Sequence, residues 1–232
     1  MSLWTPPPED SPARLADLRV SYDAGTLEEA DLAPTPLEQF RGWFDEALRV
    51  GLPEPNAMIA ASASADAQPS ARTVLLKDVD SRGFVFYTNY GSRKSQELGA
   101  NPGISCVFPW FAMHRQVVVV GRVARVPRDE AGEYFASRPH GSRLGAWASR
   151  QSTVIDGRGG IEAEYARLAA EYPEGSDVPL PEFWGGWLVH PTSVEFWQGR
   201  ESRLHDRLRF VARHEGGALD DATAWDVERL SP

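Results

Sequence analysis

The chain has 232 residues, of which 42% are hydrophobic and 25% charged, an ordinary globular composition that excludes wholesale disorder and suffices for a proper core. Its 24 basic and 33 acidic residues give a formal net charge of −9 at pH 7, which argues against nucleic acid or a membrane surface as the main partner. A single cysteine, Cys106, excludes a disulfide framework. No apolar run has the length of a membrane span, and the N-terminus is polar and Pro-rich, so a soluble cytoplasmic protein is expected.

Residues 1–16 carry no sustained periodicity and read as a flexible N-terminal arm, leaving 17–232 as a single domain. The first element opens at a capping box, Thr35-Pro36-Leu37-Glu38, with Thr35 as N-cap and Glu38 reaching back. Leu37, Phe40, Phe44 and Leu48 follow at helical spacing, and Gly51 with Pro53 ends the helix. From Ala57 to about Val126 the pattern turns to strands: AMIAASAS, ARTVLLKDV, GFVFYTN, GISCVFPW and RQVVVVGRVARV, punctuated by turn clusters such as ADAQPS and DSRG. This spacing predicts an antiparallel meander closing into a barrel. A short helix, SRKSQELG, interrupts it. Helical patterns follow at DEAGEYFASR and IEAEYARLAAEY, then strands at GGWLVHPTSVEFWQG, RLRFVAR and TAWDVERL. The expected fold is mainly β (α+β), a barrel decorated with peripheral helices.

Only two of the 24 basic residues are lysine, Lys77 and Lys94. An arginine-biased composition converts positions that need only a charge, so the lysines left over point to sites that want a compact ammonium. Four constellations are candidates for chemistry. Ser92-Arg93-Lys94-Ser95 puts two cations into a first helical turn, against the helix dipole, a conflict that a bound anion would resolve as well as solvent would. Arg72-Thr73-Val74-Leu75-Leu76-Lys77 is a strand on which Arg72, Val74 and Leu76 share one face and Thr73, Leu75 and Lys77 the other; its charged ends suit either a rim or a phosphate. Tyr134 and Arg138 share a helix face, with Ser142 in the turn beyond Pro139, a possible anion cradle or simple surface packing. In Trp197 to Arg207, Arg203, His205 and Arg207 alternate on an extended segment, project from one face and repel unless anions lie opposite, while Asp206 points away.

Other chemistries find no support. There is no GxGxxG after a strand and no Walker loop. The five histidines lack zinc-ligand spacing, and Cys106, in an apolar strand, reads as core.

Taken together these segments resemble the pyridoxine/pyridoxamine 5′-phosphate oxidase family. The most specific match is VEFWQGRESRLHDR (194–207), and RTVLLK, FYTNYGSRKS, FPW, RQVVVVG, YFASRP, GAWASRQS and PEFWGGW follow further family blocks in order, from about Leu18 to Pro232. The resemblance implies a split β-barrel and a homodimer with FMN at the subunit interface. It implies cofactor contacts from the run Arg72, Thr73, Val74, Leu75, Leu76 and Lys77, from Tyr87, Thr88, Arg93, Lys94, Gln151 and Ser152, and from Gln116, Trp197 and Arg207. The substrate phosphate would meet Lys77, Tyr134, Arg138 and Ser142. Arg203 and His205 would sit over the substrate ring as the catalytic pair, and Arg19 and Tyr22 would form an N-terminal lid. The implied reaction oxidises C4′ of pyridoxamine or pyridoxine 5′-phosphate to pyridoxal 5′-phosphate, with O2 as final acceptor, giving hydrogen peroxide and, from the amine, ammonia. Its rivals are a related flavin oxidase of phenazine type and a non-catalytic binder of pyridoxal phosphate or flavin.

Overall fold

The computed structural model describes Tyr22 and residues 25–232; the N-terminal arm and Arg19 lie outside the described residues. The chain runs α1 (Pro36–Arg49), β1 (Ala57–Ala63), β2 (Pro69–Leu75), β3 (Asp78–Asp80), β4 (Gly83–Asn89), α2 (Arg93–Ala100), β5 (Gly103–Trp110) and β6 (Arg115–Arg125). It continues through α3 (Arg128–Ser137), α4 (His140–Ala148), α5 (Arg158–Glu171), β7 (Trp184–Gln198), β8 (Asp206–Ala212) and β9 (Trp225–Arg229).

The strands join in one antiparallel sheet ordered β2-β1-β5-β6-β7-β4-β3, with β8 on β7 and β9 on β8. This is a curled split barrel, not a simple meander. β4 does not pair with β5, because α2 carries the chain away between them; it pairs with β7 instead. β7 can serve two partners on one edge because it bends. Phe84 to Asn89 cover its first half and Asp206 to Val211 its second, while β6 runs along the other edge. The bend falls at Pro191, which has no N–H to give, opposite a register shift between Val120 and Gly121. A side chain at Gly121 would start 2.2 Å from the His190 carbonyl oxygen, so only glycine lets the strands cross there.

α1 plugs the barrel. The Thr35 Oγ1 accepts the Glu38 N–H at 3.2 Å, as a cap should, but no return bond from the Glu38 carboxylate forms among the described residues. Its buried face is Leu37, Phe40, Trp43 and Ala47. The expected apolar row is thus rotated: Phe44 is only partly buried, and Leu48, 55% exposed, lies past the barrel wall. Phe40 meets Phe84 and Phe108 edge-on, at 5.0 and 5.1 Å between ring centres. Full burial of each such ring stabilises the fold by roughly 1.5–3 kcal/mol. Cys106 is fully buried, and its burial pushes the thiol up to about 12, so the core reading of this residue holds.

Three local expectations are revised. The run ARTVLLKDV is not one strand: β2 stops at Leu75, and the Lys77 N–H donates to the Val85 carbonyl of β4 at 2.8 Å. Ser142 is not in a turn but in the first turn of α4, a helix whose two glycines hide it in the sequence and whose buried Leu144 and Ala148 hold it in place. Residues 201–203 form a 3-10 turn with Ser202 and Arg203 at φ 55° and 64°, so the extended stripe Arg203–His205–Arg207 does not exist. The strand begins only at Asp206.

Candidate active site

The barrel remains open between β2 and β4, and a cleft of about 950 Å³ lies over that seam. Its walls bring together Arg72, Thr73, Val74, Leu75 and Lys77 from the β2 edge, Tyr87 and Thr88 from β4, and Arg93 and Lys94 from α2. Tyr134, Arg138, Ser142, Gln151 and Ser152 come from the helical side. Leu76 does not join them. It is buried in the core, its N–H donating to the Asn56 carbonyl at 2.8 Å.

At one end of the cleft stands Lys94, with only 8% of its surface exposed. Its Nζ donates to Thr88 Oγ1 at 3.0 Å, Gln151 Oε1 at 3.0 Å and Ser92 Oγ at 3.2 Å. All three acceptors are neutral. Burial, and next the repulsion of Arg72, bring the ammonium down to about 8. Ser92 holds the N-cap position of α2, yet its hydroxyl caps no helix N–H; it serves Lys94 instead. A nearly buried cation with no carboxylate partner among the described residues, beside a free helix N-terminus, suits an anion.

At the other end, Arg138 closes α3. Its guanidinium lies 4.9 Å over the Trp184 ring, and one of its buried Nη atoms has no hydrogen-bond partner among the described residues. Burial lowers its pKa, partly offset by Tyr134. Tyr87 and Tyr134 stack at 4.0 Å and 13°, with Trp184 parallel to Tyr87 at 5.4 Å, making a flat aromatic wall. Burial, followed by the neighbouring Glu130, Asp78 and Tyr134, pushes the Tyr87 phenol up to about 12, so it stays protonated. Gly186 permits this wall, since a Cβ there would come within 2.8 Å of the Tyr87 ring. Ser152 takes a left-handed φ of 71° at the cleft rim.

The remaining candidates gather elsewhere. Gln116 pairs with Trp197, and Trp197 with Arg207, so the three form a row across β6, β7 and β8 on the outer face of the sheet. Arg207 grips Glu195 through two bonds, at 2.7 and 3.1 Å, the carboxylate that relieves the expected repulsion. His205 packs against Trp197 at 4.6 Å and Tyr22 at 5.6 Å between ring centres, while Arg203 is exposed on its turn. The His205 Nδ1 accepts the Arg200 N–H at 3.1 Å, which leaves a neutral ring with its proton on Nε2. Its pKa is lowered by burial first and then by Arg203. None of Tyr22, Gln116, Trp197, Arg203, His205 or Arg207 lines the cleft of its own chain.

Residues 44–171 match the family model described as pyridoxamine 5′-phosphate oxidase, more than half of the chain. The chain belongs to that family. Residues 184–232 match a second model, the pyridoxine 5′-phosphate oxidase C-terminal dimerisation region. The pyridoxine/pyridoxamine 5′-phosphate oxidase of Streptomyces avermitilis is 52% identical over 94% of this chain and 96% of its own length. That of Frankia casuarinae is 56% identical over 91% and 81%. Among solved structures, PhzG from Burkholderia lata, in complex with tetrahydrophenazine-1-carboxylic acid, superposes with a TM-score of 0.81 at 27% identity, covering 91% of this chain and all of its own. An FMN binding protein related to pyridoxamine 5′-phosphate oxidase, from Nostoc punctiforme, shares the fold at a TM-score of 0.65 and 16% identity, covering 87% of this chain.

FMN is the cofactor that the family resemblance implies, and the Nostoc punctiforme protein of the same fold is described as FMN binding. The cleft fits it: a buried ammonium with only neutral partners answers a phosphate, and the orphaned Arg138 guanidinium leaves a second anion position. Sequence reasoning missed Trp184 as a wall residue, although it lies inside the PEFWGGW block, and missed Glu97, which pairs with Arg72 and Arg93.

Proposed function

We propose that this chain oxidises pyridoxamine 5′-phosphate and pyridoxine 5′-phosphate to pyridoxal 5′-phosphate. The observation that carries this reading is the pair of cationic poles in one cleft, Lys94 with Arg93 and Arg72 at one end and Arg138 with Tyr134 and Ser142 at the other. Cofactor and substrate each bring one phosphate, and each pole suits one of them. Bound there, FMN would supply the two-electron redox chemistry that couples oxidation at C4′ to reduction of O2 to hydrogen peroxide. The protein's task is alignment. Arg138, Tyr134, Ser142 and Lys77 fix the substrate phosphate, so that binding energy far from C4′ sets its orientation. Lys94, Thr88 and Gln151 fix the cofactor phosphate. His205, neutral and bonded through Nδ1, offers an Nε2–H to the substrate ring, and Arg203 covers it.

The active unit in this reading is a homodimer. The outer face that carries Gln116, Trp197 and Arg207 also carries the part-exposed Ile59, Val107, Val118 and Val120, an apolar face for a second copy. Docked there, one chain's Trp197 and His205 meet the other chain's cleft, uniting the two groups.

The likeness to PhzG supports a second reading, a flavin oxidase acting on a phenazine precursor. The discriminating test is an anaerobic mix of FMN-loaded protein with pyridoxamine 5′-phosphate, or with pyridoxamine, followed by oxygen. Flavin bleaching by the phosphate ester alone, recovering with O2 as pyridoxal 5′-phosphate appears, supports the proposal. Flavin that remains oxidised with the ester bound overturns it.

A further inference from the structure

Beneath the phosphate pole lies a carboxylate that the proposed reaction does not use. Glu97 sits on α2 one turn after Arg93, and only 6% of its side chain is exposed. Its Oε2 accepts hydrogen bonds from Ser62 Oγ and Ser70 Oγ, each at 2.6 Å, and from an Nη of Arg72 at 3.2 Å. Its Oε1 accepts from Arg93 Nε at 2.8 Å. Burial drives this carboxyl up, but the four donors outweigh it and bring it down to about 2, so the charge is permanent at neutral pH.

The two arginines use opposite ends. Arg93 gives Glu97 its Nε, which leaves both Nη groups without a partner among the described residues, on a side chain that is 60% exposed at the cleft. Arg72 gives its Nη groups to Glu97, Ser62, Ser70 and the Ala60 carbonyl, which turns those groups into the barrel wall and leaves Nε as the donor without a partner among the described residues. One carboxylate thus sets the roll of two guanidiniums, one tip-out and one edge-out. It also sets the charge. Arg72, Arg93 and Lys94 crowd three cations together, Arg72 already depressing Lys94. With Glu97 counted, two positive charges remain, which matches a phosphate monoester of about −1.5 to −2 at neutral pH.

We infer that Glu97 is a positioning residue for the cofactor phosphate: it holds Arg72 and Arg93 in the orientations that receive the anion and keeps the pocket from carrying more positive charge than the anion brings. A purely structural ion pair would need neither two serines, one buried and one at the cleft wall, nor an arginine left open at its tips. The inference rests on the reading that the FMN phosphate occupies the Lys94 end of the cleft.

The test compares FMN with riboflavin, which lacks the phosphate, by flavin fluorescence quenching on apoprotein. It uses the unaltered chain, Glu97→Gln, and Ser62→Ala, a change at a buried residue outside the cleft wall. The expected result is FMN affinity weakened about tenfold in Glu97→Gln, and in the same direction but less in Ser62→Ala, with riboflavin affinity unchanged in both. Riboflavin binding also certifies that each variant is folded. Unchanged or tighter FMN binding in Glu97→Gln overturns the inference, as does an equal loss for both flavins, which marks a structural role. If the unaltered chain binds both flavins equally, the placement of the phosphate fails and the inference fails with it.

Discussion

Asp206 accepts the backbone N–H of Leu27 at 3.1 Å, across 179 residues of chain. The same buried carboxylate accepts from Arg200 at 2.9 Å and Arg229 at 3.0 Å, so one side chain ties the segment after Tyr22, the turn bearing Arg203, and the last strand together. Burial raises its pKa, but Leu27, Arg200 and Arg229 bring it below the usual carboxylate value. A folded-state pKa depressed in this way contributes stability that is present above the unfolded pKa of about 3.9 and is lost as pH falls through the folded one. Asp206→Ala should cost about 2–3 kcal/mol at neutral pH, by stranding the buried Leu27 N–H and removing the two arginine contacts. Urea unfolding at several pH values checks this, and the acid-side loss of stability should be smaller in the variant.

With the cofactor phosphate at Lys94, as proposed, FMN affinity should depend on pH. The Lys94 ammonium titrates near 8 in the free protein, and a bound phosphate returns it toward the ordinary lysine range. Above that pH, binding takes up a proton, so affinity falls with rising pH by up to about tenfold per unit. Below it, Lys94 contributes no slope. Fluorescence titrations across this range should give that alkaline limb, and Lys94→Met should remove it while weakening binding at neutral pH.

Arg138→Leu should separate substrate from cofactor. Loss of a charge-assisted contact of about 2–3 kcal/mol corresponds to a KM for pyridoxamine 5′-phosphate raised roughly 30- to 150-fold. FMN affinity should stay within about twofold, because the other pole is untouched. Steady-state kinetics at saturating FMN, beside a flavin titration, measures both.

Sites built from two chains complement each other. Lys94→Ala disables the cleft group and Arg203→Ala the group on the outer face. Refolded together in equal amounts, the two inactive variants should form heterodimers in about half of the dimers, each with one intact site, and recover about a quarter of full activity. No recovery in verified heterodimers would mean that each chain builds its site alone.

Much of the fold was legible. β4 and β5 begin and end where GFVFYTN and GISCVFPW do, because alternation of apolar side chains and bounding turns are local signals. The switch of β4 from β5 to β7 was not, since nothing local records which strand fills an open edge. α4 was hidden because HGSRLGAWA has poor intrinsic helix propensity and is held by Leu144 and Ala148 packing on Phe135 and Trp184.

The candidate residues divide in the same way. Arg93 and Lys94 could be picked from sequence because cations in a first helical turn oppose the dipole, Arg72 and Lys77 because they end an apolar strand, and Tyr134, Arg138 and Ser142 because helical spacing groups a phenol, a guanidinium and a hydroxyl. What they do with those charges is a matter of distance. Only the folded chain brings Ser62, Ser70 and Glu97, up to 35 residues apart, around the two guanidiniums. Only the sheet turns Gln116, Trp197 and Arg207 outward, away from the cleft of their own chain. Composition and periodicity determined which groups must find partners; the path of the backbone decided which partners they found, because contacts across the sheet depend on strand order that no stretch of sequence encodes by itself.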